Sequence, residues 1–401
     1  MNKSRRFISL LVLICVCGPA LTAVHSARAR NWQIPPLNYP FSFPRDHGSH
    51  PDYRIEWWYI TGHLTADSSQ NTQFGYQATF FRIGLSPGEQ ENASDGPVVS
   101  DDHIFMAHMA LTDISGETFH HEEKLNRRGW DAWADTQYLN TANGNWSLIQ
   151  NTQSDHFEAR LRSTIGADIE FDFTITSPDP PVIFGKDGVS IKGADPSARS
   201  LYITFPRLKT TGTLRFGKQK LPVSGTSWMD HEISSSQLDE NQVGWNWASI
   251  LLNDGRSIMV YMMRQKDQSM DPHSSYNLIL PGNETVHEFT SENFSWKPIR
   301  YWTNPDSGHS YPVESEIHFT VTDAGDEADR NPPAVVRLVP RLDNQEMLSK
   351  ISKVQYWEGA CDVLDESGQS IGKAYVELTG YDQALTPLMS AENLSPGSRS
   401  Q

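Results

Sequence analysis

The sequence predicts an all-β protein made of two antiparallel domains, each a β-barrel or a β-sandwich. Apolar and polar side chains alternate with period two in many short segments. The clearest is 168–176, DIEFDFTIT, a pattern typical of a half-buried strand. No long stretch has the spacing of an amphipathic helix. A repeated pair of strands favours two units, and closure into barrels would leave few exposed sheet edges.

The predicted strands are separated by residues that favour turns. They are 74–83, 104–112, 157–163, 168–176, 200–205, 243–252, 256–263, 313–322, 335–339 and 371–380. Asn253, Asp254 and Gly255 lie between two of these strands and give a strong hairpin signal.

An internal repeat supports the two-domain prediction. Residues 57–82 begin WWYITGHL and return as FGYQATFFR, and residues 245–264 begin WNWASILL and return as SIMVYMMR. GTSWMDHE from Gly225 also resembles GKAYVELT from Gly372, with an acid two residues after an aromatic residue in each. We therefore predict a duplicated β unit.

The repeat sets the predicted domain boundaries. The first domain would cover 45–231 and the second 232–385. A Pro-rich arm at 30–44 would precede them, and a disordered tail rich in Ser, Pro and Asn would follow at 386–401.

Residues 1–29 have the features of a signal peptide. Basic residues at 3, 5 and 6 precede the apolar run 7–16, and Ala27 and Ala29 supply the small-x-small form of a cleavage site. We predict cleavage near Ala29 and an exported product, periplasmic or secreted, without stable membrane insertion. A lipidated cysteine in this segment is a weaker alternative.

The charge of the mature chain narrows the range of partners. Cleavage removes four basic residues and no acidic one, so the formal net charge of −16 becomes −20. Such a surface disfavours binding to nucleic acid and to anionic membranes. Cys361 is then the one remaining cysteine, so we expect no intramolecular disulfide.

The strongest candidate for chemistry is the segment SWMDHE at 227–232. Along a strand, Trp228, Asp230 and Glu232 would lie on one face and His231 on the other. A carboxylate beside an indole is partly desolvated, which raises its pKa and makes Asp230 a candidate proton donor, with His231 tuning it. Alternatively, both acids bond local backbone N–H groups and begin the following turn.

A second candidate is the segment EWWY at 56–59. Alternation would send Glu56 and Trp58 to one face and Trp57 and Tyr59 to the other. In one interpretation the aromatic rings form a substrate-binding wall and Glu56 is a second catalytic carboxylate near Asp230. In the other, this is a packing strand in which Glu56 makes a buried salt bridge.

Other side chains also allow two interpretations. His108, inside an apolar strand, could contact a substrate, although a lone strand histidine is more often a satisfied interior group. Trp245, Trp247 and Tyr261 could line a substrate-binding barrel mouth, but their period-two spacing is more typical of a second-domain core.

We predict neither a metal site nor a cofactor. His120 and His121 precede two glutamates, but neighbouring residues on a strand face opposite ways, and no Cys or His pair has a chelating spacing. The chain lacks a nucleophile elbow, a phosphate-binding glycine loop and a dinucleotide motif. Any reaction would therefore use the chain's own acids and bases.

Several motifs, taken in order, resemble one family. They are FPRDHGSHPDYRIEWWYITGHL, FMAHMALTD, GVSIKG, SLYITFPRL, SWMDHEISSSQL with GWNWASILLNDG, and AYVELTGY. Together they resemble the secreted lipocalin-like AttH proteins, a family similar to the carotenoid 1,2-hydratases (hydroxyneurosporene synthases). The resemblance covers nearly the whole mature chain and implies two lipocalin-like β-barrels. Members are described as predicted secreted hydrolases or as components associated with an ABC export system.

The hydratases imply a reaction. They add water to a terminal isoprenoid double bond without a cofactor, and their aromatic-x-Asp-His motif falls here on Trp228, Asp230 and His231. The sequence departs from their pattern at two places. Trp228 replaces a tyrosine, and Tyr202 and Thr204 lie where the hydratases carry His-x-Trp. Tyr202 then becomes a candidate substrate contact.

Three functional hypotheses follow. The first is an enzyme that uses Asp230, with His231 or Glu56, on an elongated apolar lipid or isoprenoid. The second is a binding protein or chaperone that holds an apolar ligand for an ABC export system. The third is an aromatic-rich glycan-binding module. A shifted carboxylate in an apolar pocket would favour the enzyme, and exposed Trp rings would favour glycans. The position of Asp230 near the domain boundary favours a pocket between the domains.

Overall fold

The computed structural model describes residues 31–67, 72–85, 103–129, 131–283, 286–320 and 331–385. The predicted signal peptide and tail lie outside these ranges and stay predictions. Within the ranges, helix is confined to the short 3₁₀ turns Arg45–His47, Pro281–Asn283 and Ser291–Asn293. None of the described helices has the length and apolar character needed to cross a membrane.

Antiparallel strands form the first sheet, which is a nearly closed barrel. In chain order they are β1 (Ile55–Ala66), β2 (Gln73–Gly84), β3 (His103–Asp113), β4 (Thr118–Arg127), β5 (Ala132–Ala134), β6 (Asn140–Asn143), β7 (Trp146–Gln150), β8 (Phe157–Ile165), β9 (Ile169–Ser177), β10 (Val182–Phe184), β11 (Ser190–Ile191), β12 (Arg199–Phe216) and β13 (Gln219–Ser236). Along the sheet the order is β4-β3-β2-β1-β13-β12-β9-β8-β7-β6-β5. Side chains connect the two ends of the sheet, where Asn126 of the edge strand β4 donates over 2.6 Å to Asn143 of β6, the neighbour of the other edge strand.

The second sheet is a half-barrel. Its strands are β14 (Gln242–Leu252), β15 (Ser257–Gln265), β16 (Ser275–Ile279), β17 (Val286–Thr290), β18 (Phe294–Thr303), β19 (Ser310–Phe319), β20 (Val335–Pro340), β21 (Glu346–Met347), β22 (Tyr356–Leu364) and β23 (Ser370–Thr379). The order is β17-β16-β15-β14-β23-β22-β20-β19-β18.

The two sheets repeat one topology, which supports the predicted duplication. A hairpin, β1–β2 or β14–β15, pairs with the last long strand of its sheet, β13 or β23, which in turn pairs with β12 or β22. The registers also correspond, since Tyr59 lies opposite Asp230 and Trp247 lies opposite Glu377. The repeat seen in sequence is therefore a structural repeat.

Each segment predicted as a strand overlaps an observed strand, and the predicted turn at 253–255 joins β14 to β15. The predicted domain boundary at 231/232 falls within β13, which continues to Ser236, and the second sheet starts at Gln242.

Strand β1 lies between two packed cores. Trp58, Ile60 and Leu64 face the interior of the first barrel, whereas Trp57 and Tyr59 belong to a cluster between the sheets. Both faces are buried, so nearly every residue of β1 is buried, and its sequence is correspondingly apolar. A separate hydrophobic core packs inside the half-barrel of the second sheet.

Candidate ligand site between the two sheets

A narrow cavity lies between the two sheets. The space open to water inside it is about 50 Å³, enough for a few water molecules or one small chemical group. Its wall is mainly aromatic and aliphatic, with a few polar groups: Trp57, Tyr59, Gln77, Thr79, Phe81, Met106, Tyr202, Asp230 and Glu232 from the first sheet, and Trp245, Trp247, Tyr261, Val354, Tyr356, Glu377, Thr379 and Leu385 from the second half of the chain. The pocket thus lies between the domains, as the sequence favoured.

Strand alternation and register explain which side chains face the cavity. Directly opposed residues of an antiparallel pair share a face, and Tyr59 opposes Asp230 while Trp57 opposes Glu232. Trp57 and Tyr59 of β1 therefore share a face with Asp230 and Glu232 of β13. The intervening residues, such as His231, face the barrel interior.

Asp230 is buried and both of its oxygens accept hydrogen bonds. Thr204 Oγ1 and Trp228 Nε1 donate to Oδ1 over 2.6 and 2.7 Å, and the Tyr202 hydroxyl donates to Oδ2 over 2.6 Å. Burial raises the pKa of Asp230 to about 7, even though these donors act to lower it. Asp230 can therefore exchange a proton near neutral pH.

Tyr202 connects Asp230 to the cavity. Tyr202 lines the pocket, and its hydroxyl donates to Asp230 and accepts from Trp247 Nε1 over 3.1 Å. A chain of three hydrogen-bonded groups thus runs from the second sheet to the carboxyl group.

Glu377 is a second carboxyl group on the cavity wall, and we did not single it out as a site residue from sequence. Trp245 Nε1 donates to its Oε2 over 2.7 Å. Glu377 is enclosed by protein, but part of its surface is open to the cavity. The residue is therefore half-buried. Burial raises its pKa to about 7. The signal was present in sequence, because Glu377 is the acid of the GKAYVELT repeat.

The surroundings of these acids contain little positive charge. Lys192 Nζ is 2.6 Å from Glu232 and lies over the rings of Tyr261 and Tyr202, at 3.9 and 4.8 Å from their centroids. Burial lowers the pKa of Lys192, and the charge of Glu232 opposes that effect.

Glu358 adds a further buried acid beside Glu377. The Tyr59 hydroxyl donates to Glu358 Oε1 over 2.5 Å, and Glu358 lies directly opposite Glu377 in the β22–β23 pair. Burial, followed by the charge of Glu377, raises the pKa of Glu358 well above its usual range. Burial therefore favours the protonated forms of Asp230, Glu358 and Glu377, and few cations in the described surroundings offset it.

The structure corrects one expectation, since Glu56 is not near Asp230 in the cavity. It lies on the opposite face of β1, where Arg82 Nε donates to it over 2.9 Å and His231 Nε2 lies 3.0 Å away. Burial opposes ionisation of Glu56, but Arg82 and the hydrogen bonds of His231 and His50 hold its pKa well below the usual range. The buried salt bridge, the alternative interpretation, is what the structure contains.

Trp58 and His231 lie on the same inner face, away from the cavity. Their rings stack with centroids 4.7 Å apart, and Trp58 Nε1 donates to the carbonyl oxygen of His47 over 2.9 Å. Burial lowers the pKa of His231. The proposed contact of Trp58 with substrate is therefore wrong for this structure, and His231 cannot touch a ligand in the cavity.

The remaining candidates divide between the wall and the layer behind it. Trp57, Tyr59, Tyr202, Trp245, Trp247 and Tyr261 line the cavity. Trp228 lies behind Asp230 and donates to it. His108 lies behind Tyr356, whose hydroxyl is 2.7 Å from its Nδ1. Trp228 and His108 therefore contact residues of the wall and do not contact a ligand directly.

In the described part of the chain, His50, Glu56 and His231 bring ligand atoms within 4.8 Å of one another. These three could geometrically share a metal ion. However, His50 Nδ1 and His231 Nε2 each lie 3.0 Å from Glu56 Oε1, and Arg82 binds the other oxygen. The group is a hydrogen-bonded ion cluster that already contains its own cation.

Comparisons with known proteins agree with this architecture. A family model described as AttH-like matches residues 35–381. An AttH-type protein from Nitrosomonas europaea is similar in structure with a TM-score of 0.72 and 31% identity, over 86% of this chain and 99% of that one. Kievitone hydratase from Nectria haematococca is similar with a TM-score of 0.62 and 15% identity, over 86% of this chain and 94% of that one; this second likeness shows the fold alone. No curated protein matches the chain.

Proposed function

The chain belongs to the AttH-like family, and from this premise we propose that it binds an uncharged, largely apolar molecule between its two sheets and adds water to it, or removes water from it, without a cofactor. The observation that carries the proposal is a mainly apolar cavity with three carboxyl groups on its wall, two of which, Asp230 and Glu377, have pKa values raised by burial to about 7. Groups that titrate near neutral pH suit general acid–base catalysis.

The charge around the cavity supports an uncharged ligand. Asp230, Glu232, Glu358 and Glu377 lie around it or beside it, whereas Lys192 already pairs with Glu232. A fatty acid or phosphate anion would meet this acidic surrounding without a free cation. An alkene or an alcohol carries no charge and so needs no cation in the cavity.

The aromatic wall supports a reaction that passes through a cation. Protonation of a trisubstituted alkene leaves a tertiary carbocation, and the faces of electron-rich rings stabilise such a charge. Trp57, Tyr59 and Trp247 line the same cavity as Asp230. A water molecule that attacks the cation must then lose a proton, which Asp230 can receive through the hydroxyl of Tyr202.

The size of the cavity limits how the ligand binds. About 50 Å³ of open space admits the reacting end of a molecule, not a whole carotenoid. We propose that a terminal isoprenoid-like group enters the cavity while the rest of the ligand lies towards the mouth. The hydration named in the kievitone hydratase neighbour supports this reaction class.

A second candidate is a binding protein that serves an ABC export system without catalysis. Both oxygens of Asp230 are held by protein donors, which suits a group that shapes a pocket as well as one that transfers a proton. Glycan binding has less support, because the cavity tryptophans are at most 7% exposed.

The experiment is to add a prenyl-substituted phenol to the purified protein in heavy-oxygen water and to analyse bound and released products by mass spectrometry. We expect incorporation of labelled water into the alcohol. Asp230→Asn should keep the fold and lower turnover by about 100-fold or more, the usual contribution of a positioned acid or base.

Asp172→Asn is the matched control, since Asp172 is an exposed strand carboxylate paired with Arg160 and should change nothing. Turnover by Asp230→Asn at the wild-type rate would reject the role of Asp230. A wild-type protein that binds the phenol and releases it unchanged would instead support the binding protein.

A further inference from the structure

Glu377 occupies the position in the second repeat that Asp230 occupies in the first. Asp230 opposes Tyr59 in the β1–β13 pair, and Glu377 opposes Trp247 in the β14–β23 pair. Each acid accepts a hydrogen bond from an indole over 2.7 Å, Asp230 from Trp228 and Glu377 from Trp245. The two carboxyl groups therefore face one cavity from opposite walls.

The two acids differ in how freely they can reach a ligand. Three donors hold the oxygens of Asp230. Among the described residues, Trp245 is the side chain that donates to Glu377, and it occupies one oxygen. Glu377 also keeps surface against the cavity. The hydroxyl of a protonated Glu377 can thus point at a bound group, whereas Asp230 exchanges protons through Tyr202.

We propose that Glu377 is the catalytic acid of this site and that Asp230, acting through Tyr202, is its base. This assignment rests on the proposed function. Glu377 donates its proton to one alkene carbon, which leaves a carbocation on the other carbon and a carboxylate on Glu377. Water forms a bond to the cation and passes a proton to the Tyr202 oxygen while Tyr202 passes its own proton to Asp230. Return of that proton from Asp230 to Glu377 completes the addition of one water.

Other charged groups face Glu377 and act on this pair. Asp230 and Glu232 face it from the first sheet, Lys192 faces it from the segment before β12, and Glu358 lies across from it on β22. Burial and the charges of Glu232 and Asp230 favour the protonated form of Glu377, and the Trp245 hydrogen bond and Lys192 oppose them. Burial raises the pKa of Asp230 to a similar value, about 7, although its three donors favour the ionised form. Within the described part of the chain, the two acids therefore differ in their donors, three at Asp230 and one at Glu377.

Two residues of the cavity wall, Gln77 and Tyr261, also have a buried polar atom that lacks a partner in the described ranges. These atoms lie behind the wall and do not recognise the ligand. The probe is therefore chosen for the reacting group alone. A prenyl-substituted phenol is uncharged, and its prenyl group is a trisubstituted alkene.

The test compares Glu377→Gln with Glu346→Gln on this probe. Both changes replace an acid of the second sheet by an amide of the same shape, but Glu346 is buried away from the cavity wall. We expect Glu377→Gln to bind the phenol as the wild type does and to lose turnover by about 100-fold or more. Glu346→Gln should keep turnover, because glutamine still accepts a hydrogen bond from Tyr311.

The pH profile distinguishes a proton donor from a residue that only packs. In the wild type, turnover should fall as the pH rises above about 7 and Glu377 ionises. Glu377→Asp should restore part of the rate and keep this limb. The assignment would be overturned if Glu377→Gln had the turnover and the pH profile of the wild type. The proposed function would then remain in place.

A titration that needs no turnover separates the two proposals. Carbon-13 NMR of labelled carboxyl groups should show a raised pKa for Glu377, and Asp230→Asn should lower it by removing a neighbouring negative charge. The paired assignment of Glu377 and Asp230 would be overturned if Glu377 had an ordinary pKa that Asp230→Asn did not change. If the titrations are coupled but the wild type converts no probe, the proposed hydration fails and the paired carboxyls stand.

Discussion

The two faces of the β1–β13 pair contain similar acidic groups with opposite behaviour. On the inner face, Glu56 lies against Arg82, His50 and His231, and its pKa is held well below the usual range. On the cavity face, the pKa of Asp230 is raised to about 7, as is that of Glu377, which faces the same cavity from β23. All three acids are enclosed by protein, so burial does not account for the difference. The partner does, because Glu56 has a guanidinium and the cavity acids have neutral donors.

This comparison explains why alternation matters in this protein. Neighbouring residues of one strand enter environments of different charge, so Asp230 and His231 have separate roles although they are adjacent in sequence. On the inner face, the ion pair with Arg82 keeps Glu56 ionised and stabilises the barrel. On the cavity face, Asp230 has a raised pKa and can exchange a proton.

The largest expected effect comes from removing the cation of the inner face. Arg82→Met would leave Glu56 buried without its guanidinium, which typically costs about 3–5 kcal/mol of unfolding free energy. Denaturant unfolding measures the change. Arg160→Met, which breaks an exposed ion pair with Asp172, should cost no more than about 1 kcal/mol. Equal costs for both variants would mean that the inner cluster is not held by charge.

A smaller effect should appear in the dependence of stability on pH. Asp230 and Glu377 have folded pKa values of about 7, above the ordinary 3.8 and 4.5, so the native state binds more protons than the unfolded state in this window. Their contribution to stability is present below about pH 4 and is lost as the pH rises towards 7. Glu56 acts in the opposite sense, because its contribution is present above the ordinary pKa and is lost as the pH falls through its lowered value.

The double variant Asp230→Asn, Glu377→Gln should therefore have a flatter stability profile between pH 4 and 7. We expect the wild type to lose more unfolding free energy than the variant over this window, by at most about 1.4 kcal/mol for each unit by which a pKa is raised. Urea midpoints measured across the window test it. Parallel profiles for the two proteins would show that these acids titrate normally in the folded state.

The smallest effect tests the hydrogen bond that Trp245 donates to Glu377. Trp245→Phe removes a donor that favours ionised Glu377, so the pKa of Glu377 should rise further. The basic limb of the turnover profile should move up by about one to two units, as expected for the loss of one hydrogen bond to a charged group. Trp296→Phe is the control, because the Trp296 indole N–H lacks a partner in the described ranges. A shift of the limb to lower pH in Trp245→Phe would contradict the role of this bond.

The sequence predicted which side chains of a strand share a face, but not which face of one strand lies beside which face of another. Alternation separated Glu56 and Trp58 from Trp57 and Tyr59, and that division is correct. The register that places Tyr59 opposite Asp230 joins segments far apart in the chain, so local pattern could not decide which of these two faces lies beside Asp230. Glu56 was assigned to the wrong side for this reason.

Long-range partners set the electrostatics for the same reason. Lys192 pairs with Glu232 across sequence-distant segments, and Glu358 lies opposite Glu377 through strand pairing. Neither contact leaves a periodic signal. The repeat did contain the position of Glu377, because the match between GTSWMDHE and GKAYVELT aligns it with Asp230. A repeat found in sequence can therefore identify the second acid of a site when the first is known.

Strand β1, buried on both faces, also has a consequence for folding cooperativity. Its inner side chains complete the first barrel and its outer side chains cover the second sheet. Partial opening of either half would expose apolar surface belonging to the other, at about 25 cal/mol for each Å². The duplicated units are thereby joined into one cooperative folding unit, although each repeats the same topology.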